Sequence, residues 1–296
     1  MNKLMGLKSK NELTSVEVQR NTRVENVWAL GDYRSISTML PQISAHLTRL
    51  VNIQPGESVL DVACGNGNTA ITARRKGANV TGIDITPELL SLAEEEEKSA
   101  QVKGIVWKEG DCQNLPFDDE SFDVVLSTFG HMFAPQPEIV AKEMIRVTKK
   151  GGRIGFATWP PELAIGSIFN VNAKHLLKTS NNNNNPPAPS PIHWGIPEII
   201  EKRLSGVSDI YFERGTTIFS TLSPNHYLEF MSTKYGPLIK VIQTLNNLVD
   251  GDIKTESLKE DFLKVIEPYI FDNGIRLGYL LTIAKKNGIQ LSREGI

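Results

Sequence analysis

Three acidic residues and a glycine-rich turn carry the first chemical signal in the 296-residue chain. The segment V-L-D-V-A-C-G-N-G-N-T-A, Val59 to Ala70, reads as a strand running into a turn and then a helix. Gly65 and Gly67 have no side chain, so the backbone there can take positive φ and approach a ligand closely. The helix start beyond them offers free N–H groups to a carboxylate or phosphate. Gly65, Gly67 and Ala70 fit G-x-G-x-x-G/A, the pattern of dinucleotide sites. Asp84 follows Gly65 by 19 residues, where an acid grips ribose hydroxyls. Structural turns with two glycines are common, so this pattern alone leaves a ligand site and a plain turn equally open.

Asp61 separates the ligands. It ends the strand ahead of the turn, at the crevice outside the carboxyl ends of parallel strands. A pyrophosphate there would be repelled, and an ammonium group attracted. Asp111 follows the third strand, in G-D-C-Q-N-L-P-F-D-D-E-S-F-D-V-V. It can accept from an exocyclic amine such as adenine offers, while the N–H of Cys112 donates to a neighbouring ring nitrogen. Any one acid can be a loop or capping residue. Three at successive strand ends around one glycine turn point to a zwitterion that also carries a ribose.

These residues need a parallel sheet to position them. Short apolar runs at 58–62, 79–83, 104–108, 122–127 and 153–158 alternate with helical patterns at about 68–76, 86–101 and 136–148. That alternation predicts parallel strands covered on both faces. Thr86, Pro87 and Glu88 form a helix start signal. Upstream, Ile36, Met39, Leu40, Ile43, Leu47 and Leu50 predict a helix, bent near Pro41. The acidic run Glu94 to Glu97 reads as a solvated helix face, and Arg74-Arg75-Lys76 as an exposed helix end.

After Trp159 the alternation stops. The stretch 159–195 holds Pro160-Pro161, five asparagines from Asn181 to Asn185 and a P-P-A-P-S-P segment, a composition that does not predict a packed core. A stretch this long reads as a lid, a binding loop or disorder. A helix follows at 196–204, then a strand at 207–220, or two with a turn at Gly215. A helical insertion is expected at 224–272 and a last strand at 275–284. The reading is one domain, with 1–54 covering the site, 55–158 as core, 159–195 inserted and 196–296 completing the sheet.

Composition excludes several classes. No apolar run approaches the 18–20 residues of a membrane span. With 34 acidic against 32 basic side chains, bulk attraction to nucleic acid is not expected. Cys64 and Cys112 make no disulfide framework and have no metal-site spacing. The N-terminus has no signal-peptide core, so a cytoplasmic protein is expected.

The motifs V-L-D-V-A-C-G-N-G-N, V-T-G-I-D-I-T-P-E-L-L, G-D-C-Q-N-L-P-F-D-D-E-S-F-D-V-V and R-V-T-K-K-G-G-R-I together resemble the class I S-adenosylmethionine-dependent methyltransferases, in the methyltransferase type 11 or ubiquinone-biosynthesis-like group. They cover about residues 55–158. W-A-L-G-D-Y, Trp28 to Tyr33, and F-G-H-M-F-A-P, Phe129 to Pro135, are similar to a subgroup acting on small molecules. The resemblance implies a Rossmann-like, seven-stranded, mostly parallel sheet with helices on both faces, and insertions forming a cover. It also implies S-adenosylmethionine as cofactor, S-adenosylhomocysteine as product and a small-molecule methyl acceptor.

Matched positions would then have roles. Gly65 and Gly67, beside Ala63 and Cys64, would line the methionine portion. Asp61 would orient its ammonium group. Asp84 would hold both ribose hydroxyls, and Ile85 would pack on adenine. Asp111 would take the adenine amine, with Cys112 donating from its backbone. Ser127 would offer its carbonyl near the ammonium group, and Tyr33 would close over the cofactor. Asn68 replaces a third glycine that many members carry.

Methyl transfer from a sulfonium asks mainly for alignment and exclusion of water. A base is needed only if the acceptor must lose a proton. His131, after the fourth strand, is the candidate base, against the alternative of a histidine bonded to backbone. Phe129, Met132 and Phe133 read as an apolar wall. His193 and Trp194 could reach the acceptor, with packing as the plainer role. Two function classes stay open: a small-molecule methyltransferase and a non-catalytic S-adenosylmethionine-binding regulator. A nicotinamide-dependent oxidoreductase stands third.

Overall fold

The structure, a computed structural model, describes residues 26–177 and 189–287. The asparagine run and most of the proline-rich segment lie outside the described residues, as does the start of the chain. The elements run in order α1 (Tyr33–Ser37), α2 (Pro41–Leu50), β1 (Ser58–Val62), α3 (Asn68–Arg75), β2 (Asn79–Asp84), α4 (Pro87–Ser99), β3 (Val106–Glu109), β4 (Phe122–Thr128), α5 (Pro137–Val147) and β5 (Thr148–Thr158). They continue as α6 (Ala164–Leu177), α7 (Pro197–Arg203), β6 (Val207–Ser220), α8 (Pro224–Lys234), α9 (Gly236–Asn246), α10 (Gly251–Ile266), β7 (Ile270–Phe271) and β8 (Gly274–Lys286). Among the described residues, no helix is long and apolar enough to cross a membrane.

The sheet order is β3-β2-β1-β4-β5-β8-β6. The first five strands are parallel, and β8 and β6 complete the sheet antiparallel. Seven strands were expected and eight are present among the described residues. The eighth is β7, a two-residue strand that pairs with β8 off the main path. Central strands are apolar on both faces because helices cover both. Val59, Leu60 and Val62 of β1 and Val124, Val125 and Leu126 of β4 are all fully buried. From β1 the chain first winds outward to β2 and β3, then returns to β4 on the other side. The ends of β1 and β4 therefore form the switch point where such sheets open a crevice.

Three local expectations change. The bent N-terminal helix is two helices, because Pro41 lacks an N–H and takes the first-turn position of α2. β6 runs unbroken through Gly215. That glycine makes room for the ring of Tyr279, which would lie 2.2 Å from an added Cβ.

The third change lies between Trp159 and Gly195, where no packed core was expected. α6 lies there with Ile165, Ile168 and Val171 buried, and Ile192 and Trp194 are buried near the far end of that stretch. The prolines and the five-asparagine run flank α6 and stay out of it. The spacing Ile165, Ile168, Val171 between them gives a helix an apolar stripe. α6 packs against α10, where Asp261 accepts from Lys174 Nζ at 2.8 Å and pairs with His175 Nε2 at 3.0 Å.

Candidate functional site

A cavity of about 1120 Å³, counting its open mouth, lies across the carboxyl ends of the parallel strands. Along the sheet its walls include Asp111 after β3, Asp84 on β2, Ala63 after β1, Phe129 after β4 and Trp159 after β5. Adjacent strands lie about 4.8 Å apart, so five of them span roughly 19 Å. Acids stand at two of the β3-side strand ends on this cavity, and aromatic rings at β4 and β5.

The turn after β1 is built from positive-φ residues, Ala63 (φ 52), Gly65 (φ 55) and Gly67 (φ 82). The two glycines differ in purpose. Gly65 lies under Tyr33, whose Cε1 would be 3.2 Å from an added Cβ, and it borders the cavity. Gly67 does not border it. An added Cβ there would meet Trp107 Cη2 at 2.5 Å, so its missing side chain serves the packing of α3 against β3 and α4. Trp107 is held from its other edge by Glu97, which accepts its Nε1–H at 2.8 Å and the Ile105 N–H at 3.1 Å. The acidic run is thus not wholly a solvated face. Glu95 and Glu96 pair with Arg34.

Asp84 is fixed by two backbone donors, Gly65 N–H to Oδ2 at 2.8 Å and Thr86 N–H to Oδ1 at 2.9 Å. Each oxygen keeps a lone pair for a further donor, as a diol would supply. Asp111 accepts from the Gln113 N–H at 2.8 Å. Asp61 accepts the Ala70 N–H on Oδ2 at 2.9 Å, while its Oδ1 is buried without a partner. Asp61 borders a smaller recess that shares Tyr33, Leu40 and Ala63 with the main cavity and is otherwise lined mostly by polar side chains such as Asn66, Asn68 and Thr69.

Burial disfavours charge on both carboxylates. It pushes Asp61 up to about 8, with the nearby Asp84 adding to the rise and the Ala70 N–H opposing it. Burial likewise raises Asp84 against the pull of its backbone donors. A ligand with an ammonium group would satisfy Asp61 Oδ1 and offset the carboxylates. The residues present therefore fit a cationic, ribose-bearing group.

Of the residues singled out in the sequence, Tyr33, Ala63, Gly65, Asp84, Ile85, Asp111 and Cys112 border the cavity. Asp61 and Cys64 border the adjoining recess. Gly67, Ser127 and His131 border neither. Ser127 is fully buried and donates its hydroxyl to the Val62 carbonyl at 2.7 Å, which ties β4 to β1.

His131 is not where a base was expected. It is fully buried, both ring nitrogens lack partners, and its ring packs 4.8 Å from Phe156 and 4.7 Å from Trp194. Burial first, and the positive Arg203 second, lower its pKa to about 3. Trp194 is a packing residue under the Arg203 guanidinium, 4.7 Å from its ring, and His193 does not reach the cavity.

Other walls had only weak sequence signals. Trp28 stands edge-on to Tyr33, Phe133 and Tyr235, with ring centroids 5.8, 4.7 and 6.0 Å away. Ile165, Ile168 and Phe169 of α6 and Met231 of α8 also border the cavity. The i, i+3, i+4 apolar spacing of 165, 168 and 169 was the available signal for α6.

Fold and site define a class: a Rossmann-like α/β protein whose strand-end acids suit a cofactor bearing a ribose and an ammonium group. Residues 60–156 match the family described as "Methyltransferase domain". The chain is 32% identical over 268 residues to an uncharacterized protein of Mycobacterium tuberculosis, covering 90% of this chain and 94% of that one. It is 37% identical over 107 residues to a demethylmenaquinone methyltransferase of Alkalihalophilus pseudofirmus, covering 35% and 45% of the two chains. Its fold is similar to that of the YcgJ protein of a Bacillus species, with a TM-score of 0.56 at 16% identity, covering 83% and 99%. The chain belongs to the class I S-adenosylmethionine-dependent methyltransferase family, and its cofactor is S-adenosylmethionine.

Proposed function

We propose that this methyltransferase acts on a small molecule held over the ends of β4 and β5, beside a cofactor held over β1, β2 and β3. The observation that carries this reading is the single cavity joining Asp84 and Asp111 to Phe129 and Trp159. One chamber lets two ligands meet without crossing water.

When bound, the cofactor supplies a methyl group already activated by its positive sulfur. Everything else falls to the chain. Asp84, pre-oriented by Gly65 and Thr86, accepts the ribose hydroxyls. Ile85 packs on the adenine and Asp111 takes its amine. Asp61 Oδ1 takes the ammonium group, which removes the cost of a buried, unpartnered carboxylate oxygen. Tyr33 and Trp28 cover the pair and keep water out, which strengthens each of these electrostatic contacts. His131, neutral and walled in by Phe156 and Trp194, takes no part in proton transfer. Alignment and dryness are what the protein contributes to rate.

The test is calorimetry with S-adenosylmethionine, S-adenosylhomocysteine and NAD, followed by transfer of a labelled methyl group into a small-molecule extract and identification of the product. Label appearing only in protein or nucleic acid overturns the small-molecule reading.

A further inference from the structure

We propose that the acceptor is an uncharged, planar aromatic molecule, and that Phe129, backed by Trp159, is the residue that selects for it. The proposal rests on the reading of the cavity given above.

Its first support is where the rings gather. Seven of the 25 residues lining the cavity are aromatic, against 7% aromatic residues in the chain. Five of the seven, Trp28, Phe129, Phe133, Trp159 and Phe169, have no acid–base group. The charged residues lining the cavity among those described are Asp84 and Asp111, both on the β2–β3 side. Phe129 and Trp159 follow β4 and β5, and the lining contributed by α6 and α8 is Ile165, Ile168, Phe169 and Met231, all without charge. An acceptor charge placed there would lose its water and find no opposite charge.

The second support is the geometry of the pair. The Phe129 and Trp159 rings lie parallel, with centroids 3.9 Å apart and 1° between planes. Phe129 holds φ 66, an uncommon conformation for a bulky residue. Its N–H donates to the Ala157 carbonyl at 3.0 Å, and the next residue, Gly130, is pressed so close to Ala63 that an added Cβ would lie 2.3 Å from the Ala63 carbonyl oxygen. The strain is held by the ends of β5 and β1, and it delivers a ring to the cavity at the cofactor's edge. Strain kept in this way is typical of ligand sites rather than of plain packing. Phe133, also on the cavity, stands edge-on to Trp28 at 4.7 Å and to Phe169 at 5.7 Å, so further fixed rings line it. Stiff aromatic walls favour a flat ring, which gains stacking and edge contacts and loses little conformational freedom.

Three probes of one skeleton separate the claims: 2-naphthol, 2-naphthoate and 2-decalol, titrated by calorimetry onto the full chain saturated with S-adenosylhomocysteine. 2-Naphthol is expected to bind at least tenfold more tightly than either of the others. Phe129→Leu and Trp159→Leu keep apolar volume and remove a ring, and each is expected to bring the naphthol-to-decalol ratio within threefold. The wild-type ranking tests the acceptor class even if a variant fails to fold. 2-Naphthoate or 2-decalol binding within threefold of 2-naphthol overturns the class, as does no binding of 2-naphthol. A ratio preserved in the folded variants overturns the role of Phe129. Failure of S-adenosylhomocysteine to bind overturns this proposal together with the reading it rests on; its binding without the expected ranking overturns this proposal alone.

Discussion

The Asp84 carboxylate accepts the N–H of Gly65 at 2.8 Å, so the end of β2 holds the glycine turn that follows β1. One side chain thus shapes the turn and keeps lone pairs for a further donor, which the proposed function assigns to the ribose. Asp84→Ala is expected to weaken S-adenosylmethionine binding by about 1.5–3 kcal/mol, the worth of hydrogen bonds to a charged acceptor. Asp84→Asn keeps one acceptor oxygen and is expected to fall between Ala and the parent. Calorimetry on both variants checks this, and an unchanged affinity in Asp84→Ala places the ribose elsewhere.

Asp61 makes stability and binding depend on pH in opposite senses. Its folded pKa is raised to about 8 from 3.8, chiefly by burial. Between those values the folded state holds a proton that the unfolded state has released. Stability of the free protein therefore falls as pH rises from about 4 to 8, with a slope approaching about 1.4 kcal/mol per pH unit for one such group. An ammonium ligand favours the carboxylate, so cofactor affinity rises with pH over the same window, by up to about tenfold per unit. Asp61→Asn is expected to make both dependences shallower, leaving the contribution of Asp84, which burial also raises. Melting temperature and cofactor affinity from pH 5 to 9 measure the two slopes, and parallel slopes contradict the assignment.

His131 offers a clean separation of base from filler. His131→Phe keeps the shape between Phe156 and Trp194 and removes two unpartnered buried nitrogens. We expect stability equal to or above that of the parent and kcat within about threefold, because burial already leaves the ring a very weak base. His131→Ala instead opens a hole and is expected to lose about 2–4 kcal/mol. A loss of kcat above about a hundredfold in a well-folded His131→Phe restores the histidine as catalyst.

Gly67 is a packing glycine. Gly67→Ala must hold φ 82 with a Cβ 2.5 Å from Trp107 Cη2. Backbone strain and overpacking together are expected to cost about 2–4 kcal/mol. Cofactor affinity, measured on the folded fraction, is expected to change less than stability does. The reverse order would put Gly67 at the ligand.

The strand-end acids and the glycine turn were legible because their places are fixed by local order. Asp61 and Asp84 lie at or near the ends of β1 and β2, Gly65 and Asp111 follow β1 and β3 by a few residues, and parallel pairing lines those ends up. The aromatic wall comes from distant segments: Trp28, Phe129, Trp159, Phe169 and Tyr235 meet only through the tertiary fold. The burial of His131 was not legible for a related reason. Its place after β4 is shared with Phe129, yet the turn sends Phe129 to the cavity and His131 beneath it. α6 was obscured by the prolines and asparagines on either side of it, although its apolar stripe was present.

The cover over the cavity closes where two distant backbone segments meet, each at a glycine, and this yields the last prediction. Gly31 (φ 79) pairs with Tyr235 in an antiparallel bridge, and a Cβ on it would lie 2.4 Å from the Lys234 carbonyl oxygen. A Cβ on Gly236 would lie 2.1 Å from the Val27 carbonyl oxygen. The Asp32 N–H donates to Lys234 O at 3.0 Å, and Lys234 Nζ donates to Asp32 Oδ2 at 3.2 Å. These contacts bring Trp28 and Tyr33 of the N-terminal segment against Tyr235 of the helical insertion. Since backbone cannot yield as a flexible side chain does, Gly31→Ala is expected to push the two segments apart. Hydrogen exchange in 26–37 is expected to rise, and cofactor affinity to fall by about 1–2 kcal/mol as Tyr33 loses its place over Gly65. Lys234→Ala removes only the exposed ion pair and is expected to cost under about 1 kcal/mol. Equal effects from the two substitutions would mean that charge, not close backbone approach, holds the cover down.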